Sequence, residues 1–306
     1  MITSISGHRS EVVFLFIEKE RDRAEALERE IAALKTEQSI PEWIKINVRH
    51  AEFAPAMAKL LDKLESEKRR LAPTFLFIDP FGFGGVPMKL IARILNNPSC
   101  ECLVTFMFES VNRFLSHPDD AIKANFDELF GTPEWRALID EQDPARRRAR
   151  TIELYRKQLM EVAQLPYVRT FEMINEGNRT EYFLYFGTKN LKGFSKMKES
   201  MWRADPARGQ IFSDMTDTRQ EVLIKPEADV GPLRKILREK FVGKNWIPIE
   251  HIEQFVLTET PYSEAIHLKR RTLLPMEQEG KLVGARMDGK KRRRGSYTPG
   301  TLLQFL

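Results

Sequence analysis

Short apolar runs alternate with amphipathic helical segments through the first 110 residues, and this alternation limits the fold more than any other feature of the chain. The runs are EVVFLFIE at 11–18, IKINV at 44–48, TFLFID at 74–79 and CLVTFMF at 102–108. Strands that alternate with helices are typical of a doubly wound α/β sheet, in which helices cover both faces of the strands. We therefore predict an α/β fold in which residues 11–18 are buried on both faces.

The middle of the chain predicts helices followed by an antiparallel hairpin. Residues 119–164 are charged and helical in pattern, with a break at Asp143-Pro144. Residues 167–174 and 180–187 are two apolar, aromatic runs joined by the polar segment NEGNR. Two such runs around a short polar loop predict a hairpin.

The last quarter of the chain has a different texture and predicts a second domain. We predict a Rossmann-like domain over 1–203, a polar linker containing proline and glycine over 204–228, and a small domain over 229–306. The small domain is predicted to contain three helices and then a hairpin whose loop, DGKKRRRGS, spans 288–296. This order is the outline of a winged helix-turn-helix.

All of the excess positive charge lies in that small domain. Residues 229–306 hold 15 Lys and Arg against 9 Asp and Glu, whereas the rest of the chain holds 34 against 35. This asymmetry favours a polyanionic partner, and a solvated basic surface is the alternative.

The cations of the predicted third helix and of the hairpin loop are the candidate nucleic-acid contacts. They are Lys269, Arg270, Arg271, Lys290, Lys291, Arg292, Arg293 and Arg294. A helix in the major groove of DNA and a basic wing on its backbone would explain where these cations lie. The alternative is a winged helix that contacts protein and carries a solvated basic loop.

The segment FIDPFG places a carboxylate, a rigid turn, an aromatic ring and a glycine at the end of a predicted buried strand. Ligands of open parallel sheets bind beyond the carboxyl ends of the strands, where both Asp79 and Glu18 are predicted to lie. Pro80 fixes the turn, the Phe81 ring offers a face for stacking a base, and Gly82 lets the backbone approach a ligand closely. The structural alternative is an ordinary turn in which Asp79 caps the next helix.

Four segments resemble the three-Cys-motif partner family. They are EVVFLFIEKERDRAEALE, FLFIDPFGFGGVPMKLI, CLVTFMFESVNRFL and EYFLYFGTKNLKGFSKMKESMW. The resemblance extends through the predicted winged helix and implies a partner, a radical-SAM-like protein that carries the three cysteines. It also implies a fold like that of class I S-adenosylmethionine-dependent methyltransferases.

The same resemblance assigns roles to site residues. Asp79, Pro80 and Phe81 match the D/N-P-P-Y/F element of amino-methyltransferases, without its second proline. Glu18 matches the acidic residue that binds the ribose of the cofactor, S-adenosylmethionine. The first strand and the glycine-rich turn of such enzymes are expected to be missing before residues 11–18, either because the chain is a fragment or because it has lost them.

Other functional classes have little support in the sequence. The five histidines lack metal-ligand spacing, and Cys100 and Cys102 suit neither a disulfide framework nor a four-ligand zinc site. No apolar run is long enough to cross a bilayer and no secretion signal is evident, so a cytoplasmic protein is expected.

The predicted function is that of a methyltransferase-like protein that uses S-adenosylmethionine and modifies or recognises nucleic acid together with a radical-SAM-like partner. The alternative is a non-catalytic DNA-binding adaptor with a degenerate methyltransferase scaffold.

Overall fold

The structure is a computed structural model, and it describes residues 11–175, 177–213 and 227–306. Helices and strands alternate through its first half, as the sequence predicts. The elements before residue 214 are, in order, β1 Val12–Glu18, α1 Arg21–Glu37, β2 Ile44–His50, α2 Phe53–Ser66, β3 Thr74–Ile78, α3 Met88–Leu95, β4 Cys100–Phe106, α4 Phe108–Phe114, α5 Asp120–Phe130, a 3₁₀ helix Pro133–Leu138, α6 Pro144–Glu161, β5 Tyr167–Ile174, β6 Thr180–Thr188, α7 Leu191–Ala204 and β7 Ile211–Ser213. The predicted α/β class is confirmed.

Five of these strands form a mixed sheet in the order β3-β4-β6-β5-β7. Strands β3 and β4 are parallel, whereas β6 runs antiparallel to both β4 and β5. The predicted hairpin is therefore present. The predicted break before α6 is present as well, because the Asp143 carboxylate caps the helix by accepting from the backbone N–H of Ala145 and Arg146, and Pro144 begins it.

Strands β1 and β2 form a separate parallel pair. The prediction that residues 11–18 are buried on both faces is wrong, because the side chains of five consecutive β1 residues are 39–53% exposed: Val12, Val13, Phe14, Leu15 and Phe16. On β3, Phe75 and Phe77 are also exposed, at 55% and 58%. Within the described residues, β1 pairs only with β2, and β3 pairs only with β4.

The core of the α/β part lies between the mixed sheet and its helices. Helix α3 contributes fully buried side chains, among them Ile91 and Ile94, and Phe106 packs with the rings of Tyr155 and Tyr185. One face of β3 belongs to this core, since Leu76 and Ile78 are buried. This packing fixes the orientation of β3 and therefore the position of Asp79, which directly follows it.

The C-terminal part has a second core and a smaller sheet. Its elements are α8 Gly231–Phe241, β8 Ile247–Pro248, α9 Ile249–Glu259, a π-helix Glu264–Leu273, α10 Leu274–Gln278, β9 Leu282–Arg286 and β10 Thr301–Phe305. The three strands pair in the order β8-β10-β9 and are antiparallel. Leu233, Ile252, Leu268 and Leu303 are fully buried among these elements.

Side chains of the α/β part hold the end of α9 and the loop after it. Nζ of the buried Lys198 donates to three backbone carbonyls, and Arg169 and Trp202 both donate to the carbonyl of Pro261. The predicted linker lies only partly within the described residues: its start contains β7, which pairs with β5, and residues 214–226 lie outside the described ranges.

Among the described residues, no helix combines the length and the apolar character that crossing a membrane requires.

Candidate functional site

A cavity of about 790 Å³ lies beyond the carboxyl ends of β1 and β3. Glu18, the last residue of β1, lines one side, and Asp79, Pro80 and Phe81, which directly follow β3, line another. The two predicted carboxylate positions thus share one site. Its volume is in the range of about 300–1,000 Å³ that is usual for small-molecule sites.

The two carboxylates differ in how they are held. One oxygen of Glu18 accepts a hydrogen bond from the backbone N–H of Glu20 at 2.8 Å, which orients the group at the start of the turn into α1. No group of the described residues bonds to the exposed carboxylate of Asp79. Asp79 is therefore free to accept hydrogen bonds from a ligand, and it does not cap a helix of the described chain.

The loop after β3 is anchored by one phenylalanine and exposes another. The ring of Phe83 stacks on Phe126 at 4.6 Å between centroids and contacts Phe114. Phe81, by contrast, is 88% exposed. The loop can pack the ring of Phe83 inward and leave Phe81 exposed because the backbone turns at two glycines. Gly82 and Gly85 have φ of +89° and +82°, which other residues rarely adopt.

The predicted glycine contact is displaced by a few residues. Gly82 does not line the large cavity, whereas Gly84 and Gly85 do. Arg23 and Asn125 also line it, and sequence reasoning missed both because they come from α1 and α5. Arg23 lies in the first turn of α1, five residues after Glu18, and Asn125 has no comparable signal in the sequence.

The charged groups around the cavity are mostly acidic. The carboxylates are Glu18, Glu20, Asp22, Glu52 and Asp79, and the cations are Lys19 and Arg23. Lys19 is paired with Glu52 at 2.9 Å, and this contact raises the pKa of Lys19. The unneutralised carboxylates favour a ligand that carries positive charge or hydrogen-bond donors.

Neither metal nor thiol chemistry is indicated within the described residues. They contain no group of three or more His, Cys, Asp or Glu side chains arranged to hold a metal ion. Cys100 and Cys102 are buried in β4, and burial raises the pKa of the Cys102 thiol to about 12. A thiolate nucleophile is therefore disfavoured at neutral pH.

The eight candidate nucleic-acid contacts form two groups, which the charge run in the sequence does not distinguish. Arg270, Lys290, Lys291 and Arg293 are exposed, and their side chains make neither an ion pair nor a hydrogen bond with a described residue. Lys269 pairs with Glu253 at 2.7 Å, and Arg271 pairs with Glu227 at 3.0 Å. The first group can bind phosphates without breaking an existing pair.

Two arginines of the predicted wing are bound to the protein itself. The side chain of Arg292 is only 6% exposed and forms an ion pair with Glu277, and Arg294 donates to the Glu277 carbonyl at 2.6 Å. Arg292 therefore does not belong to an exposed basic surface, contrary to what the run of five cations suggests. Its side chain binds the loop to Glu277.

Comparisons of this chain with protein-family models, with curated proteins and with solved structures find no match.

Proposed function

We propose that this protein binds S-adenosylmethionine in the cavity and transfers its methyl group to an amine of a nucleic acid, which the C-terminal part recognises. The observation that carries the proposal is the meeting of Glu18 with Asp79, Pro80 and Phe81 around one cavity at the carboxyl ends of two parallel strands. Sites in open α/β sheets are found at such edges.

The strand arrangement supports a methyltransferase-like fold. Strands β2 and β1 are parallel, β3 and β4 are parallel, and an antiparallel hairpin completes the sheet beyond β4. The resemblance implies such a hairpin at the end of the sheet.

The side chains around the cavity suit the proposed cofactor. Glu18 offers a carboxylate oxygen to ribose hydroxyls, and the acidic lining favours the positive charges of the sulfonium and ammonium groups. When bound, the cofactor supplies an already activated methyl group, so the protein contributes mainly proximity and orientation.

The residues after β3 would orient the target. Asp79 accepts a hydrogen bond from the target amine, and the Pro80 carbonyl shares that donor. The exposed ring of Phe81 stacks on the base that bears the amine. The nitrogen lone pair would attack the methyl carbon in line with the carbon–sulfur bond, which breaks to release the neutral thioether S-adenosylhomocysteine, and the methylated nitrogen would then pass its extra proton to water.

We expect calorimetric titration with S-adenosylmethionine to show binding that Glu18→Ala weakens about 10- to 100-fold, the range for a lost hydrogen bond to a charged group. Asp79→Ala should abolish methyl transfer and change cofactor affinity less. Glu30→Ala removes an exposed carboxylate of α1 and serves as the matched control. Absence of binding by the unsubstituted protein, or equal affinity after Glu18→Ala, would contradict the proposal.

A non-catalytic nucleic-acid adaptor is the second candidate function. It is favoured by the four unpaired cations, Arg270, Lys290, Lys291 and Arg293, because they need no occupied cavity to bind phosphates. In either case a partner of the radical-SAM-like class and a winged-helix mode of binding are proposals that follow from the resemblance.

Replacing Lys290, Lys291 and Arg293 together by Ala is expected to weaken binding to duplex DNA. The slope of log affinity against log salt concentration should fall by about 0.9 for each lost phosphate contact, hence by about 2.7. Fluorescence anisotropy across a salt series measures both quantities.

The control for this experiment is the triple replacement of Lys35, Lys59 and Lys63, exposed cations of α1 and α2, which removes the same charge elsewhere. If both triple variants lose the same affinity, or if neither loses any, the hairpin loop is not the nucleic-acid contact.

A further inference from the structure

Arg23 lies over the face of Phe81, the ring that the proposed function assigns to base stacking. Its Cζ is 4.3 Å from the ring centroid, well within the distance at which a guanidinium is attracted to an aromatic face. Phe81 remains 88% exposed with Arg23 in place, so the guanidinium covers part of one face and most of the ring is open. A ligand that stacks on the Arg23 side of the ring meets the guanidinium.

No ion pair holds Arg23 in this position. Among the described residues it forms none, although several carboxylates line the same cavity. Arg21, two residues earlier, pairs instead with Glu25 at 2.8 Å. The ring of Phe81 is thus the contact that fixes the Arg23 side chain, and an exposed cation–π contact of this kind is weak enough to be exchanged.

We propose that Arg23 occupies one face of Phe81 and that a planar ligand competes with it for that face. The ligand class is a nucleobase or a similar heteroaromatic ring, and the inference rests on the proposed function in giving Phe81 a stacking role. The displaced guanidinium remains beside cavity carboxylates that can accept it. Arg23 therefore sets the affinity of the site for planar rings.

Calorimetric titration with adenosine tests the competition, because its adenine ring is planar and the molecule is uncharged, so the loss of one positive charge has little electrostatic effect on its binding. We expect Arg23→Ala to bind adenosine about two- to five-fold more tightly, as removal of an exposed cation–π competitor implies. Arg23→Lys keeps the charge and loses the planar group, so its affinity should lie between. Arg21→Ala, which removes a cation of the same helix that does not line the cavity, should match the unsubstituted protein.

A second measurement needs no ligand. In a Phe81→Trp variant, the added tryptophan emission reports how accessible position 81 is to acrylamide, after subtraction of the emission of the unsubstituted protein. Adding Arg23→Ala should increase the quenching, and Arg21→Ala should not.

The two measurements separate failure of this inference from failure of the proposed function. Unchanged quenching, or adenosine affinity that falls or stays constant after Arg23→Ala, would overturn the role of Arg23. Increased quenching with no adenosine binding by any variant would retain the contact and reject the nucleoside site.

Discussion

Replacing Lys198 by Met is expected to lower the free energy of unfolding by about 2–5 kcal/mol, since buried carbonyls left without donors cost about 1–3 kcal/mol each. Nζ of this fully buried side chain donates to the carbonyls of Val256, Leu257 and Thr260 at 3.0, 2.7 and 2.8 Å. The Val256 carbonyl keeps a second donor, the Thr260 hydroxyl, so the carbonyls of Leu257 and Thr260 are the two that are left without the Lys198 donor. Urea denaturation of both proteins measures the change.

The reference variant for this experiment is Lys196→Met, on the same helix. Lys196 is exposed and pairs with Glu199, so its loss should change the free energy of unfolding by less than about 1 kcal/mol. Equal effects at positions 196 and 198 would mean that the Lys198 side chain does not hold the end of α9.

The pH dependence adds an independent arm. Burial lowers the pKa of Lys198 to about 7 from its ordinary value of 10.5. The unfolded chain therefore binds this proton more tightly, and the contribution of Lys198 to stability rises as the pH increases between those two values. The loss caused by Lys198→Met should be larger at pH 9 than at pH 6.

The sequence predicts that the two cavity carboxylates lie together because the position of each depends only on the strand next to it. Each follows directly on an apolar strand, and parallel strands deliver their carboxyl ends to the same edge of a sheet. Glu18 and Asp79 could therefore be placed together without knowing how the intervening helices pack. The hairpin and the break before α6 were predictable for the same reason, since both depend on short segments with their own turn and capping residues.

The contacts that the sequence does not predict are those between distant elements. The apolar content of β1 indicates a buried strand, but burial depends on which neighbours pair and pack with it, and β1 is exposed. Arg23 reaches Phe81 from another segment of the chain, and Lys198 meets the end of α9 across the two parts of the protein. Composition and periodicity carry no information on such partners.

Replacing Arg292 by Met is expected to lower the free energy of unfolding by about 3–5 kcal/mol, the range for removing one partner of a buried ion pair. The Glu277 carboxylate would remain buried with only neutral donors, the backbone N–H of Gly295 and the hydroxyl of Tyr297. The site is built for a guanidinium: a Cβ at Gly284 would lie 2.6 Å from Arg292 Cζ. Thermal and urea unfolding both report the loss.

The double variant Glu277→Leu with Arg292→Met tests the cause, because it removes the stranded charge together with its partner. It should recover most of the stability that the single variant loses. If the double variant is as unstable as Arg292→Met alone, packing of the arginine rather than its charge holds the loop.

The neighbouring residue Lys291 is the control for the stability of the loop, and its replacement also tests the nucleic-acid contacts. It is exposed and makes no ion pair with a described residue, so Lys291→Met should leave the free energy of unfolding within about 0.5 kcal/mol of its original value. The same variant should weaken DNA binding and lower its salt dependence, because Lys291 belongs to the unpaired group. Adjacent cations of one run would then act separately, Arg292 by holding the loop against α10 and Lys291 by contacting the ligand. Loss of stability with Lys291→Met and retention of it with Arg292→Met would reverse this assignment and with it the choice of nucleic-acid contacts.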